Sequence, residues 1–253
     1  MDYQSCELLT QMRLSAMRDE YKRQAELPAM AELSFDTRFA MIVQAQHNKR
    51  KDNKLALTLK RAKLREPSAN LADLDYDAGR NLSKQKIAQL SDMSWVKKGL
   101  GLAVTGASGT GKTFVLCAFG REGCATGHTV IYYRMPSLVQ LLKDARANNT
   151  YGKMLNDMRK PDILILDDFG LDECDHLLSL DLLDIMDSRE MAKKSVFFGS
   201  QLPVALWGEV LANKTASEAF MERVRNKTYK IELKGPTRRV RPAEIENFDK
   251  EDA

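Results

Sequence analysis

Two hydrophobic patterns divide this chain of 253 residues. In the first 70 residues, apolar side chains recur at helical spacing in CELLTQMRLSAMRDEYKRQ and in SFDTRFAMIVQAQHNKRKDNKLALTLKRAKL, the second of which has Ser34 as its predicted N-cap. The polar segment REPSANLADLDYDAGRN follows, interrupted by Pro67 and Gly79, and predicts a connector. We therefore expect a small all-helical domain at residues 1–75, and assign to it the contact with DNA or a partner.

From residue 76 onward, short apolar runs alternate with helical segments. The runs GLAVTG, TVIYYR, PDILILDD, SVFFGS and TYKIEL predict strands, whereas PSLVQLLKDARA, PVALWGEVL and SEAFMERVRN are among the predicted helices. This alternation favours a parallel sheet with helices on both faces. The sequence thus predicts an α/β domain at residues 76–240, followed by an acidic, flexible tail at residues 241–253.

Composition excludes several classes of protein. Hydrophobic residues make up 43% and charged residues 29% of the chain, as in ordinary globular proteins. No apolar run approaches the roughly 20 residues that cross a bilayer, and the first residues do not form a secretory signal. The four cysteines form no CxxC pair, which argues against a zinc site. We expect a cytoplasmic protein that does not enter a membrane.

Basic residues are concentrated in one segment. Residues 49–65 contain eight lysines and arginines and one acid. Such a cluster indicates contact with nucleic-acid phosphates, and the alternative is a solvated helix face. The candidates for DNA binding in this segment are Lys49, Arg50, Lys51, Lys54, Lys60, Arg61 and Lys63.

The segment GASGTGKT at residues 106–113 has the spacing of a phosphate-binding loop. It follows a predicted strand and precedes a predicted helix, so backbone N–H groups and the helix N-terminus face the same point. Lys112 is expected to reach the β- and γ-phosphates of ATP, and the Thr113 hydroxyl to bind Mg²⁺. The predicted nucleotide-binding residues are Gly106, Ala107, Ser108, Gly109, Thr110, Gly111, Lys112, Thr113 and Phe114.

Two further strands end in polar residues. In ILILDD, Asp167 is expected to bind Mg²⁺ directly or through water, and Asp168 to accept a proton from the attacking water. In FFGSQLP, Ser200 and Gln201 follow a strand, where a polar side chain can orient that water. The alternative for this second pair is an ordinary turn.

Arginines are frequent near the C-terminus. An arginine that reaches the γ-phosphate held by another subunit would stabilise the charge that develops in phosphoryl transfer. Spacing alone does not choose among Arg223, Arg225, Arg238, Arg239 and Arg241.

In their order along the chain, GASGTGKT, DILILDDFG, GSQLPVALW and AFMERVRNKTYKIELKG resemble the motifs of the IstB-like ATPases. These are AAA+ helper proteins of two-gene insertion sequences, related to the DnaC helicase loaders and DnaA initiators. The N-terminal segments LTQMRLSAMRDEY and LALTLKRAKLREPSANLADLDYD share the resemblance, which therefore spans nearly the whole chain. It implies an AAA+ P-loop NTPase core preceded by a small helical domain.

The resemblance also implies a function and further site residues. Such helpers form homo-oligomers on double-stranded DNA with ATP and Mg²⁺, deform the DNA, and recruit or stimulate a DDE-type transposase. In the initiator branch, a helical element between the strands faces the DNA, which adds Lys143, Arg146 and Lys153 to the DNA-binding candidates. The catalytic set that the resemblance implies is Lys112, Asp167, Asp168, Gln201 with its neighbour Ser200 at the first sensor position, Arg223 at the arginine-finger position, and Arg239 at the second sensor position.

Three other functions were weighed against this one. A replicative helicase loader of the DnaC type shares every ATPase residue and differs in what its N-terminal helices hold. A small-molecule kinase is disfavoured because no arginine-rich lid segment stands between the predicted core strands. A scaffold that binds ATP without hydrolysing it is disfavoured by the presence of Lys112, Asp167 and Asp168 together.

Overall fold

The computed structural model describes residues 3–238, so the predicted tail and Arg239 lie outside the described part of the chain. The backbone divides into two compact units, residues 1–57 and 58–253. This division falls inside one long helix. Residues 58–75, which the sequence pattern grouped with the N-terminal helices, therefore belong to the second unit.

The first unit is helical, as predicted. Its helices are α1 (Tyr3–Gln11), α2 (Ser15–Glu26) and the first part of α3 (Phe35–Ala62). Arg13 adopts a left-handed conformation with φ of 59°, which separates α1 from α2 within the single helical pattern of the sequence. The buried Gln46 of α3 then accepts hydrogen bonds from the first backbone N–H groups of α2, at 3.1 Å from Ala16 and 3.3 Å from Met17.

The second unit is built on a five-stranded parallel sheet of order β2-β3-β4-β1-β5, which confirms the predicted α/β class. Its central strands are buried along almost their whole length, whereas the edge strands β2 and β5 alternate between buried and more exposed positions. The strands are β1 (Gly101–Gly106), β2 (Val130–Arg134), β3 (Ile163–Phe169), β4 (Ser195–Ser200) and β5 (Thr228–Leu233).

Six further helices belong to this unit: α4 (Lys84–Leu90), α5 (Lys112–Ala125), α6 (Met135–Ala147), α7 (Tyr151–Arg159), α8 (His176–Met191) and α9 (Lys214–Lys227). An aromatic cluster of Phe169, Phe198, Trp207 and Phe220 packs between strands and helices, with ring centroids 4.9–5.8 Å apart. It anchors the carboxyl ends of β3 and β4, where the polar residues of interest begin.

The segment PVALWGEVL differs from the predicted helix, because residues Val204–Val210 form a 3-10 helix. Two side-chain hydrogen bonds hold this short segment in place. The hydroxyl of Ser217 donates to the carbonyl of Gly208 within the segment at 2.7 Å, and the indole of Trp207 donates to the carbonyl of Leu202, just before the segment, at 3.0 Å.

The polar connector after α3 packs on the second unit. Leu64 is buried against α5 at Gly120, where a Cβ would approach its Cδ2 atom to 2.9 Å. Arg121 of α5 donates to the carbonyl of Pro67 at 3.0 Å. These contacts fix the start of the connector along α5, the helix that follows the phosphate-binding loop.

Candidate nucleotide-binding and hydrolysis site

The predicted phosphate-binding loop joins β1 to α5, at the carboxyl edge of the sheet. Gly109 and Gly111 have φ of 80° and 94°, a region that side chains with a Cβ rarely occupy. A Cβ at Gly109 would also overlap the Thr237 side chain. The loop therefore requires glycine at both positions and presents its backbone at the N-terminus of α5.

Lys112, the first residue of α5, closes this loop. Its side chain is only 7% exposed, and its Nζ atom donates to the carbonyl of Ala107 at 2.9 Å. The hydroxyl of Thr110 donates to the same carbonyl at 2.8 Å. The ammonium group is thus held beside the backbone that the sequence predicts to surround phosphates.

Asp167 lies near the carboxyl end of β3 and is fully buried. Its Oδ2 atom accepts hydrogen bonds from the Thr113 hydroxyl at 2.7 Å and the Tyr132 hydroxyl at 2.8 Å. Burial raises the pKa of Tyr132, and the negative charge of Asp167 raises it further, so this tyrosine remains a donor. A Cβ at Gly199 would overlap Oδ1 of Asp167, so glycine in β4 makes room for the carboxylate.

Asp168 lies where the β3–β4 register is irregular and has a left-handed φ of 58°. Its Oδ2 atom accepts a hydrogen bond from Nε of Arg134 at 2.5 Å, and Arg65 Nη1 lies 3.9 Å away. The hydrogen bond that Arg134 donates to Asp168 raises the pKa of Arg134. The carboxylate therefore turns away from the core and towards the phosphate-binding loop.

A cavity of about 540 Å³ opens over these residues, a volume within the usual range for small-molecule sites. Gln201 lines the cavity, whereas the buried Ser200 hydroxyl donates to the carbonyl of Phe169 at 2.6 Å and shapes the turn. The structure thus brings together most of the predicted site: Ser108, Gly109, Gly111, Lys112, Thr113, Phe114, Asp168 and Gln201.

Arg223 lies elsewhere in the second unit. It is paired with Asp187 at 2.5 Å and with Glu190 at 3.1 Å, and it lines a small cavity beside Gly101 and Thr228, the first residues of β1 and β5. The phosphate-binding loop begins after the opposite end of β1, roughly 20 Å away for a strand of this length. Arg223 is therefore not part of the cavity of its own chain.

The DNA-binding candidates divide by exposure. Arg146 is engaged, because it pairs with Asp181 at 2.5 Å and its guanidinium carbon lies 4.3 Å from the ring centroid of Tyr151. Its role in DNA binding stays a prediction. The other candidates have exposed side chains on α3, α6 and α7 or just beyond α3: Lys49, Arg50, Lys51, Lys54, Lys60, Arg61, Lys63, Lys143 and Lys153.

Several cavity residues were missed by the sequence analysis. Arg134 ends β2 at the same sheet edge as the aspartates, and its position after the run TVIYY was a usable signal. Arg65, Arg80 and Asp75 come from the connector, whose sequence has no local pattern that points to a ligand. The connector is therefore one wall of the site rather than a spacer.

No group of three or more His, Cys, Asp or Glu side chains within residues 3–238 is arranged to hold a metal. Among the same residues, no helix combines the length and apolar character needed to cross a bilayer.

Known proteins resemble this chain in sequence and in fold. A family model described as IstB-like ATP binding protein matches residues 7–244. The ATP-binding protein of insertion sequence IS1162 from Pseudomonas fluorescens is 37% identical over 77% of this chain and 84% of its own length. Among solved structures, DnaI is 26% identical with a TM-score of 0.58, over 65% of this chain and 90% of its own. The DnaC helicase loader, at 18% identity and a TM-score of 0.53, covers 66% of this chain and 97% of its own.

The structural likenesses agree with the parallel sheet, and the fold is that of an AAA+ P-loop NTPase. The family match covers nearly all of the described residues. The chain therefore belongs to the IstB-like ATP binding proteins associated with insertion sequences.

Proposed function

We propose that this protein is an ATP-hydrolysing helper of transposition, which oligomerises on double-stranded DNA, remodels it, and recruits or stimulates a DDE-type transposase. The observation that carries the proposal is the meeting of Lys112, Thr113, Asp167 and Asp168 at one sheet edge, in a chain of the insertion-sequence family.

ATP is the nucleotide, and its phosphates bind at the loop that Lys112 closes. The Thr113 hydroxyl and the Asp167 carboxylate, 2.7 Å apart, are hard oxygen groups of the kind that Mg²⁺ prefers. When bound, Mg²⁺ neutralises part of the phosphate charge.

Asp168 acts on the attacking water. Its carboxylate is at the cavity and can accept the proton that the water loses. Gln201, on the neighbouring strand end, orients the same water through its amide. Arg134 holds the carboxylate in position through the 2.5 Å contact, and Arg239 is proposed to approach the nucleotide from the C-terminal segment.

Arg223 serves the site of a neighbouring subunit. It lies at the sheet end opposite the loop of its own chain, so it can meet a γ-phosphate only across a subunit contact. Its partners Asp187 and Glu190 keep the guanidinium ordered on α8 and α9 before that contact forms. ATP hydrolysis is therefore a property of the homo-oligomer.

Arg223→Ala is expected to bind ATP with wild-type affinity and to hydrolyse it at least about 100-fold more slowly, because an arginine finger contributes 10³–10⁵ to such rates. Mixing Arg223→Ala with Lys112→Ala subunits places an intact arginine beside an intact loop at some interfaces. Part of the ATPase activity should return. The measurement is phosphate release across mixing ratios, with Arg225→Ala as the matched control; no recovery at any ratio would contradict the assignment.

DNA contacts come from exposed basic side chains. Those on α3, together with Lys143 and Lys153, are exposed positive charges that suit phosphates rather than a particular base, which makes binding largely independent of sequence. Oligomers hold several such surfaces on one duplex and bind it more tightly than single subunits do. ATP therefore strengthens DNA binding through assembly, and duplex binding with and without a non-hydrolysable ATP analogue tests the proposal.

A replicative helicase loader is the second candidate, favoured by the shared fold with the DnaC helicase loader. The two functions use the same ATPase residues and differ in the protein partner. The identity of the gene next to this one in the genome distinguishes the two functions. We expect a transposase gene beside this one, and a primosome gene in that place would favour the loader.

A further inference from the structure

Three carbonyl groups of the phosphate-binding loop accept hydrogen bonds, one from within the loop and two from outside it. Ala107 accepts from Lys112, and Gly109 accepts from the backbone N–H of Arg238 at 2.8 Å. Thr110 accepts from the guanidinium of Arg80 at 2.7 Å. Arg80 comes from the connector, 30 residues before Thr110, and its charged side chain is buried.

Arg80 is fixed independently of any ligand. Its side chain is 7% exposed, and it spans two backbone acceptors, the carbonyl of Thr110 and that of Asp75 at 3.0 Å. Its own carbonyl accepts from the backbone N–H of Lys234 at 3.0 Å. Hydrogen bonds to the connector and to the segment after β5 therefore fix this arginine in place.

The bond to Thr110 acts on the next N–H group. The Thr110 carbonyl and the Gly111 N–H belong to one planar peptide unit. A guanidinium at the carbonyl end fixes the plane and polarises the unit, which makes its N–H a stronger donor. The Gly111 N–H stands at the start of α5, among the donors expected to face phosphate. A Cβ at Gly111 would come within 3.1 Å of Arg80, so the two residues also pack closely.

We propose that Arg80 is a positioning residue for the phosphate-binding loop, which sets the orientation and donor strength of the 110–111 peptide and thereby the affinity for nucleotide phosphates. The inference rests on the proposed binding of ATP at this loop. Arg80 stabilises the bound substrate and the transition state equally. It therefore changes the affinity for nucleotide rather than the rate of the chemical step.

The test uses Arg80→Gln and Arg80→Lys in the full chain. Glutamine removes the positive charge and keeps a single amide donor group. Lysine keeps the charge but lacks the planar guanidinium group whose two nitrogens reach both carbonyl groups. Arg121→Gln is the matched control, because Arg121 makes the same kind of bond to the connector carbonyl of Pro67, away from the cavity. Calorimetric titration with ATP and with ADP gives the affinities, steady-state hydrolysis gives KM and kcat, and thermal melting without nucleotide reports stability.

Arg80→Gln is expected to bind ATP and ADP each about tenfold more weakly, the loss that corresponds to one hydrogen bond from a charged donor. KM should rise by a similar factor while kcat changes less than about twofold, and Arg80→Lys should recover only part of the affinity. Arg121→Gln should keep wild-type affinity even where its melting temperature falls.

Three results would overturn the inference. They are wild-type nucleotide affinity in Arg80→Gln, full recovery in Arg80→Lys, and an equal loss in Arg121→Gln. A loss for ATP alone, with ADP unchanged, would also contradict it, since that pattern indicates direct contact with the γ-phosphate. If Arg80→Gln shows no melting transition, the folded Arg80→Lys variant decides the question through its affinity. Failure of the wild-type protein to bind ATP would instead refute the proposed function.

Discussion

Replacing Lys112 with alanine is expected to abolish measurable ATP binding. The ammonium group is buried in the loop beside the Ala107 carbonyl, and in the proposed site it contacts the β- and γ-phosphates. Hydrogen bonds to charged groups contribute about 1.5–3 kcal/mol each, so losing two of them weakens binding by at least about 100-fold. Helix α5 should stay intact, because alanine favours helix.

Calorimetric titration with ATP measures this effect, and thermal melting gives an independent reading because a bound ligand stabilises the folded state. Lys86→Ala is the matched control, since Lys86 is exposed on α4. ATP should raise the melting temperature of the wild type and of Lys86→Ala but not that of Lys112→Ala. Unchanged ATP affinity in Lys112→Ala would contradict the assignment of the loop.

Asp168→Asn is expected to retain ATP binding and to hydrolyse ATP about 10²–10⁴-fold more slowly, the range that general bases contribute. The amide keeps the shape of the side chain and its place at the strand end, but it does not accept the proton of the water. The ion pair with Arg134 weakens at the same time. Because the carboxylate lies beside the loop rather than within it, the loss should appear in kcat.

Single-turnover hydrolysis, with the protein in excess over ATP, measures the chemical step without product release. The matched control is Asp172→Asn, because Asp172 is an exposed carboxylate four residues further along the chain. Asp172→Asn should turn over at the wild-type rate. A wild-type rate in Asp168→Asn would place the base on another residue.

The order of elements and the core of the site were predictable because they depend on local sequence. Glycines at fixed spacing require a tight loop, and the apolar run before Asp167 requires a buried strand wherever the chain folds. The loop and the strand end at the same edge of the sheet, and this places the Thr113 hydroxyl within hydrogen-bond distance of Asp167. The α/β class and the phosphate-binding loop therefore needed no long-range information.

The remaining features depend on contacts between distant residues. The pairing of Arg134 with Asp168 requires β2 and β3 to be neighbours, which sequence order alone does not determine. Arg80 meets Thr110 across 30 residues, from a segment without periodicity. The resemblance to the initiator branch predicts that Arg146 faces DNA, whereas its partner Asp181 lies on another helix. The sequence shows which residues are charged, but it does not show which residues of opposite charge pair with them in the fold.

We expect ATP-driven assembly to strengthen contact with DNA phosphates, and a salt titration of duplex binding tests this expectation most directly. The affinity for a labelled duplex is measured over a range of salt concentrations, with and without a non-hydrolysable ATP analogue. Each neutralised phosphate contributes about −0.9 to the slope of log K against log[salt]. Glutamine replacements at Lys60, Arg61 and Lys63 together form one variant, and a second carries them at Lys143 and Arg146.

We expect a steep slope for the wild type, tighter binding with the analogue, and a shallower slope in the triple variant. The second variant should also have a shallower slope if α6 faces the duplex. Duplexes of unrelated sequence should bind alike. A slope near zero, or an affinity that the analogue leaves unchanged, would contradict the account and favour a partner that is a protein alone.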